Sequence, residues 1–217
     1  MADNVATRAA GSPNGYSWAD TASCCACAVS DAAANSASHH EYIDLLIGSG
    51  PMLLGHGPPE VVEAIEKQLR DGFTFFASNP QGIELAERIC EAVPCAEQLR
   101  YVSTGGEADM FAIRLARAHT GRDLIIKFEG GYHGMSDEGQ MSLSPTELRP
   151  FPEAEPDSAG ILEKAREGVL IAAWNDPAQL DALFAEHGAR IAAIIAEPLQ
   201  RIIPAEPGFL EIGRAHV

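Results

Sequence analysis

The segment LRYVSTGGEADMFAIRLARAHTGRDLIIKFEGGYHG, residues Leu99–Gly134, carries the strongest structural signal in this chain. Its pattern predicts a strand over Leu99–Val102, a glycine turn, a helix over Glu107–Ala118 and a second strand over Leu124–Phe128. The first backbone N–H groups of such a helix have no partner inside it, and the helix dipole attracts anions to them. The turn that enters the helix is therefore a candidate anion-binding site.

The sequence that follows repeats this alternation of strand and helix. It predicts strands over Gly168–Ala173 and Ile191–Ala196, with a helix over Asp176–Glu186 between them, capped by the side chain of Asp176. The acidic, proline-containing stretch 135–160 is predicted to be a long loop whose charges face solvent. Short strands that alternate with helices favour the α/β class: a mostly parallel sheet with helices on both faces and right-handed crossovers.

The chain divides by composition into four parts. Residues 1–39 are rich in alanine, serine, asparagine and aspartate and show no sustained period, which is typical of a disordered or atypical arm. We predict an amino-terminal segment over 40–75 and the first half of a larger domain over 76–211. Residues 212–217 do not continue the pattern and are interpreted as a cloning or assembly scar.

The segment 40–75 is predicted to begin with a short strand and a loop rich in glycine and proline. A helix is predicted over Pro59–Leu69, since Val62, Ile65 and Leu69 recur at helical spacing. A second helix is predicted to start at Asn79-Pro80, because proline is favoured in the first turn.

Net charge limits the classes of partner. The formal charge is −16 at pH 7, which argues against nucleic acid and against anionic membrane surfaces as partners. It does not argue against a phosphate ligand, because a local group of N–H donors can outweigh a distant, diffuse charge. The sequence shows neither an apolar run of the ~18 residues that a membrane helix needs nor a signal peptide, so a cytoplasmic location is expected.

Cysteine spacing gives no support for a metal site. Cys24, Cys25 and Cys27 form a cluster, but no second pair of cysteines or histidines lies at the spacing of a zinc site. We therefore predict that the chain binds no metal.

Three short motifs are candidates for chemistry. Thr104, Gly105 and Gly106 form the turn before the helix, where a plain strand-to-helix turn is an equal interpretation if the motif is taken alone. The motif Tyr132-His133-Gly134 follows the strand that ends at Phe128 and offers an aromatic face for stacking. Glu197 follows the last predicted strand, and ligands of parallel sheets bind at the carboxyl ends of strands.

These motifs together resemble the class III, pyridoxal-phosphate-dependent aminotransferases, and most closely the glutamate-1-semialdehyde aminomutase-like branch. The resemblance runs from about His40 to Glu211. It implies part of the large domain of the fold-type I transferase fold, cut short within its sheet. It also implies pyridoxal 5'-phosphate as the cofactor and the movement of an amino group on a small amino acid or amino-aldehyde, by transamination or by an intramolecular aminomutase reaction.

The resemblance also implies roles for individual residues. The cofactor-binding residues would be Thr104, Gly105 and Gly106 at the phosphate, Tyr132 stacked on the ring, His133 as a polar contact and Glu197 at the polar edge of the ring. Gly106 stands where the family carries a hydroxyl residue, so a weakened phosphate site is expected. Ser49 and His56 match a loop near the substrate entrance, although His56 fits equally well as a loop histidine bonded to backbone.

The resemblance ends before the family's catalytic lysine and the aspartate that pairs with the cofactor ring. The three lysines, Lys67, Lys127 and Lys164, do not match the lysine that holds the cofactor's aldehyde. We therefore predict no catalytic residue in this chain, which would be an amino-terminal fragment that is inactive alone. The resemblance implies a homodimeric parent protein that acts on a small-molecule amino donor and acceptor.

Two other functions remain open at this point. A non-catalytic protein derived from this family could keep the phosphate site and bind pyridoxal phosphate or another phosphate without turnover. A dinucleotide-dependent enzyme is disfavoured, because no G-x-G-x-x-G motif follows the first strand.

Overall fold

The computed structural model describes residues 44–216 of the chain. These residues belong to two compact units, 1–88 and 89–217. The predicted arm 1–39 and its cysteines lie outside the described residues, and the predicted part boundaries stay predictions.

The described part of the first unit is helical. It contains a 3₁₀ turn at Ile47–Ser49 and helix α1 at Pro59–Asp71. Helix α2, Pro80–Ala92, starts at the predicted proline and continues past the end of the unit. The apolar side chains that define one face of α1 are all exposed.

A strand near the start of this segment was predicted, and residues 44–58 contain none. The carboxylate of Asp44 accepts hydrogen bonds from the backbone N–H groups of Leu46 and Ile47, at 2.8 and 2.9 Å. Such local bonds from an aspartate favour a turn over extended backbone. The strand prediction is therefore wrong within the described residues.

The second unit is built on a three-stranded parallel sheet. Strand β1, Leu124–Phe128, pairs on one side with β2, Val169–Ala172, and on the other with β3, Ile191–Ile195. The remaining elements are α3 at Gly105–Thr120, α4 at Glu163–Arg166, α5 at Pro177–His187, the antiparallel pair β4 at Leu199–Gln200 and β5 at Ile203–Pro204, and α6 at Phe209–His216. This arrangement confirms the α/β prediction.

Alternation along β1 assigns its side chains to the two faces of the sheet. Leu124, Ile126 and Phe128 pack in a core formed with α5 and α6. Ile125 packs on the opposite face with Ile113 of α3. Helices therefore cover both faces, as predicted.

The strand predicted at Leu99–Val102 does not form. Instead, the carboxylate of Glu107 accepts hydrogen bonds from the N–H groups of Ser103 and Thr104, which bends the chain just before the helix. The hydroxyl of Thr104 accepts from Glu107 N in return and completes a capping box. Helix α3 consequently begins at Gly105, two residues before the predicted start.

The long loop 135–160 is anchored to the sheet. Met141 and Ala154 are buried with Val169 and Ile171 of β2. The Nζ atom of Lys127, on β1, donates a hydrogen bond to the carbonyl of Met141 at 2.7 Å. Apolar residues in the middle of the loop therefore complete the core, whereas its acidic residues are exposed or half-buried, in agreement with the prediction that the charges face solvent.

Two glycines bring the start of α3 against the loop that follows β1. A Cβ atom on Gly134 would lie 2.4 Å from the Cα atom of Gly106, and the backbone of Gly134 has a φ of +76°. Such a distance and such a φ are both unfavourable for residues with a side chain. The pair therefore fixes the helix start beside the Tyr132-His133 motif.

We expect Gly134→Ala to lower the free energy of unfolding by about 1–3 kcal/mol, because the new methyl group meets backbone and the residue is strained at positive φ. Gly105→Ala is the matched control, since no atom lies within 4 Å of the Cβ position there. Chemical denaturation of both variants measures the difference. Equal stability of the two would contradict the close contact.

Candidate functional site

The candidate site lies at the carboxyl edge of the parallel sheet. Three segments meet there: the start of α3, the loop 129–134 after β1, and the turn 197–201 after β3. Since β2 and β3 lie on opposite sides of β1, the loops after β1 and β3 enclose the type of crevice in which α/β proteins bind ligands.

The start of α3 is open to an anion. Within the described part of the chain, the N–H groups of Gly105 and Gly106 have no hydrogen-bond partner. No atom lies within 4 Å of the Cβ position of Gly105. The hydroxyl of Thr104 already accepts from Glu107 N, so its own proton is left for an external acceptor. Two unpaired N–H groups, one hydroxyl and the positive end of a helix dipole thus occur together at the start of α3.

Glu197 joins the other two segments through its carboxylate. Its Oε1 atom accepts from the N–H of Tyr132 at 2.6 Å, and its Oε2 atom accepts from the N–H of Arg201 at 2.9 Å. Burial by itself would raise the pKa of this carboxyl. The two N–H donors, together with the nearby charge of Arg201, outweigh burial and lower the pKa below its ordinary value. Glu197 is therefore held as a carboxylate.

Two further residues strengthen this junction and were missed by the sequence reasoning. The side-chain amide of Gln200 donates to the carbonyl of Glu129, and the guanidinium of Arg201 donates through Nε to the carbonyl of Gly130, both at 2.8 Å. Their only signal in the sequence is that polar residues lie a few positions after the carboxyl end of a predicted strand. The loop 129–134 is thus held by three hydrogen bonds with Glu197, Gln200 and Arg201, and a fourth, between Arg201 N and Glu197, stabilises the turn itself.

Asn175, just after β2, fixes the next part of the same edge. Its side chain donates to the carbonyl of Pro204 at 3.0 Å and accepts from the N–H of Glu206 at 2.9 Å. Asp176 accepts from the N–H of Gln179, so its predicted role as a helix cap is confirmed.

Tyr132 and His133 occupy opposite environments although they are neighbours. Tyr132 is 48% exposed, so its ring is accessible to a ligand. His133 is only 5% exposed. Burial, reinforced by the charge of Lys127, lowers the pKa of the His133 imidazole to about 4, against the opposing effect of Glu197. His133 is consequently neutral at physiological pH.

Ser49 and His56 lie in the first unit, whereas the other predicted site residues lie in the second. Ser49 ends the 3₁₀ turn. The Nε2 atom of His56 lies 2.8 Å from the Oδ2 atom of Asp44, so this histidine pairs with a side chain rather than with backbone. Their predicted place near a substrate entrance stays a prediction.

Lys127 has a local structural role. Its side chain is 1% exposed and bonds to the carbonyl of Met141. Burial, assisted by the nearby charge of Arg201, lowers the pKa of Lys127 to about 8, against the opposing effects of Asp157, Glu197 and Glu129.

The described residues 44–216 contain no group of three or more histidine, cysteine or acidic side chains placed to hold a metal ion. In the same part of the chain, no helix is both long and apolar enough to cross a membrane.

A parallel sheet whose carboxyl edge joins an open helix start to an aromatic loop defines an α/β domain suited to a phosphate-bearing ligand. The family model of the class-III aminotransferases matches residues 22–215. The chain belongs to this family.

Individual relatives agree with this assignment. The chain is 44% identical over 158 residues to a glutamate-1-semialdehyde 2,1-aminomutase from Dechloromonas aromatica, an alignment that covers 73% of this chain and 36% of that protein. The structure of this chain is similar to that of an omega-transaminase from Sphaerobacter thermophilus. The TM-score is 0.78, the sequence identity is 35%, and the match covers 83% of this chain and 43% of the transaminase chain. This chain is also similar to a transaminase with pyridoxal phosphate bound, with a TM-score of 0.76 and 28% identity, covering 83% and 42%.

These comparisons support the predicted family, the truncated large-domain fold and pyridoxal phosphate as the family's cofactor. The chain spans 36% to 40% of the length of the curated relatives it matches.

We expect Glu197→Ala to lower the free energy of unfolding by about 1–2 kcal/mol, because two backbone N–H groups lose their acceptor. Hydrogen exchange at the amide of Tyr132 should become faster in this variant. Glu167→Ala, at an exposed carboxylate, is the control and should change neither quantity. Unchanged exchange at Tyr132 in Glu197→Ala would show that the carboxylate does not hold the loop.

We expect His133 to destabilise the fold as the pH falls. Its pKa is about 4 in the folded protein and about 6.5 in the unfolded chain, so below pH 6.5 the unfolded state takes up a proton that the folded state does not. The free energy of unfolding should drop by up to about 3 kcal/mol between pH 6.5 and 4. Denaturation curves of the wild type and of His133→Gln over this range isolate the contribution. Parallel losses in the two proteins would contradict a buried, neutral His133.

Proposed function

We propose that the protein to which this chain belongs is a pyridoxal-phosphate-dependent aminotransferase or aminomutase that acts on a small amino acid or amino-aldehyde. The observation that carries the proposal is the open start of α3, whose free N–H groups at Gly105 and Gly106 lie beside the loop that presents Tyr132. The family assignment supports the enzyme over a non-catalytic phosphate-binding protein, which would use the same N–H groups.

The residues present fit the phosphate end of this cofactor. A phosphate monoester is a compact anion that accepts several hydrogen bonds, and the start of α3 offers two N–H donors that have no partner in the described part of the chain. Gly106 lacks the hydroxyl expected from the family pattern. Its missing side chain instead permits the contact with Gly134, because a Cβ atom at 106 would lie 3.3 Å from the Cα atom of Gly134.

When bound, pyridoxal phosphate supplies an aldehyde that links to amino groups and a ring that withdraws electrons. In our proposal Gly105 and Gly106 bind the phosphate through their N–H groups, and the hydroxyl of Thr104 adds a third donor. The exposed ring of Tyr132 offers a flat face for stacking.

Two buried or half-buried groups complete the proposed site. Glu197 supplies a negative charge at the polar edge of the ring while it holds the Tyr132 loop. Neutral His133 adds a polar group without a competing positive charge.

In our proposal, none of the lysines in the described part of the chain is the catalytic lysine. Lys127 is buried against Met141, and Lys67 and Lys164 lie on helices α1 and α4. We infer that the chain is a fragment that catalyses no amino transfer alone, and turnover by the purified chain above a blank would contradict this.

We further propose that the whole protein is a cytoplasmic homodimer. Its reaction is either amino transfer between molecules or a 2,1-shift within one, as the name of its relatives indicates.

The phosphate site can be tested without any catalytic lysine. Pyridoxamine 5'-phosphate is the suitable probe, because it has no aldehyde to label lysines. Gly105→Pro removes one N–H donor, yet proline is favoured at the first helical position, and Thr104 has the extended backbone that a residue before proline requires. Gly105→Ala keeps the N–H group and is the matched control. We expect affinity about tenfold weaker for Gly105→Pro than for Gly105→Ala, measured by fluorescence titration.

Pyridoxamine without phosphate separates the phosphate contact from stacking on Tyr132, and its affinity should be the same for both variants. Equal affinity of both variants for the phosphorylated probe would show that the start of α3 is not the phosphate site.

A further inference from the structure

Two hydrogen bonds fix Arg201 at the carboxyl edge of the sheet. Its backbone N–H donates to Oε2 of Glu197 at 2.9 Å, and its Nε atom donates to the carbonyl of Gly130 at 2.8 Å. The second bond leaves the two terminal nitrogens, Nη1 and Nη2, as donors at the end of the side chain. Among the described residues, these two nitrogens have no hydrogen-bond partner, and Arg201 forms no ion pair with a carboxylate.

Turn geometry does not account for an arginine at this position. Residues 201 and 202 join β4 to β5, and the φ of Arg201 is +58°. Two-residue hairpin loops that need a positive φ are usually made with glycine, asparagine or aspartate. The side chain of Arg201 is exposed, so burial does not account for it either. Unfavourable backbone of this kind is concentrated at ligand-binding sites.

The loop 129–134 lies between Arg201 and the proposed phosphate site. Arg201 contacts Gly130 at one end of the loop, and Gly134 at the other end packs against the start of α3. Four residues span at most about 14 Å even when fully extended, so the two ends of the loop lie within that distance. Tyr132 is midway along this stretch and is exposed. One small molecule can therefore contact both ends of the loop.

The free nitrogens of Arg201 indicate the kind of group that they bind. The N–H donors of a guanidinium match the two oxygens of a carboxylate. Glu197 does not take this place, because its oxygens accept from the backbone N–H groups of Tyr132 and Arg201. Of the molecules that carry an amino group to be moved, only those that also carry an acid group can use these donors.

We propose that Arg201 binds the carboxylate of the substrate and makes the protein selective for amino acids over simple amines. The inference rests on the proposed function and adds a specificity-determining residue to it. The start of α3 binds the phosphate, Tyr132 offers its ring for stacking, and Arg201 binds the acid group. The bond from Nε to Gly130 fixes the direction of the guanidinium before a substrate arrives.

Binding of three stable conjugates to the 217-residue chain tests this proposal. They are the borohydride-reduced conjugates of pyridoxal phosphate with alanine, with β-alanine and with ethylamine, of which only the last lacks a carboxylate. Arg201→Gln removes both Nη groups but keeps an N–H donor at the chain position of Nε, so the contact with Gly130 is retained. We expect this variant to bind at least one acid conjugate about tenfold more weakly than the wild type, and the ethylamine conjugate equally well, in fluorescence titrations.

The three conjugates separate this inference from the proposed function. Unchanged affinity of Arg201→Gln for all of them, or an equal loss for all of them, would overturn the role of Arg201 and leave the phosphate site intact. An absence of binding by all three to the wild-type chain would overturn both.

A measurement on the wild-type chain covers the case in which the variant does not fold. Phenylglyoxal modifies exposed guanidinium groups, and mass spectrometry measures the rate at each arginine. At about ten times its Kd, the acid conjugate that binds best should slow modification of Arg201 about tenfold, whereas the ethylamine conjugate should not. Arg190, exposed just before β3 at the opposite edge of the sheet, is the control and should react equally fast throughout. Equal modification of Arg201 with both conjugates would contradict the proposal.

Discussion

Strand β1 is paired on both sides, and the rest of the second unit depends on this position. Its backbone groups find partners in β2 and β3, so the strand can be fully buried without unpaired polar groups. Its alternating side chains then contribute to a core on each face of the sheet. The one charged residue in it, Lys127, is tolerated because its Nζ atom reaches the carbonyl of Met141. That bond also brings the long loop onto the sheet.

The sequence was most informative where a pattern is local and periodic. The apolar run of β1 and the cap at Asp176 were predicted correctly because an uninterrupted apolar run and a capping side chain are both visible in a few neighbouring residues. The strand predicted at Leu99–Val102 failed for the opposite reason: a strand needs a paired neighbour, whereas the capping bonds of Glu107 are made locally. The anchoring of Met141 could likewise not be predicted, since its hydrogen-bond donor, Lys127, lies on strand β1.

The candidate site shows the same difference between local features, which the sequence predicts, and contacts between distant residues, which it does not. The glycine turn that enters α3 could be predicted from its motif, because it is a short sequence with a local conformation, although the helix begins at Gly105 rather than at Glu107. The contributions of Gln200 and Arg201 could not, because their acceptors are backbone carbonyls far away in sequence. Every residue has a backbone carbonyl, so the sequence does not show which carbonyl will accept a given side-chain hydrogen bond. Only the folded topology shows which side chain meets which carbonyl.

The bond between Glu197 and the 129–134 loop has a consequence for how such a site can change. Its donor at position 132 is the backbone N–H group, which every residue except proline carries. The position of the loop is therefore independent of the side chain displayed there. A new aromatic, aliphatic or polar group at Tyr132 could be introduced while the scaffold beneath it stays the same, so this edge of the sheet can vary its ligand preference one side chain at a time.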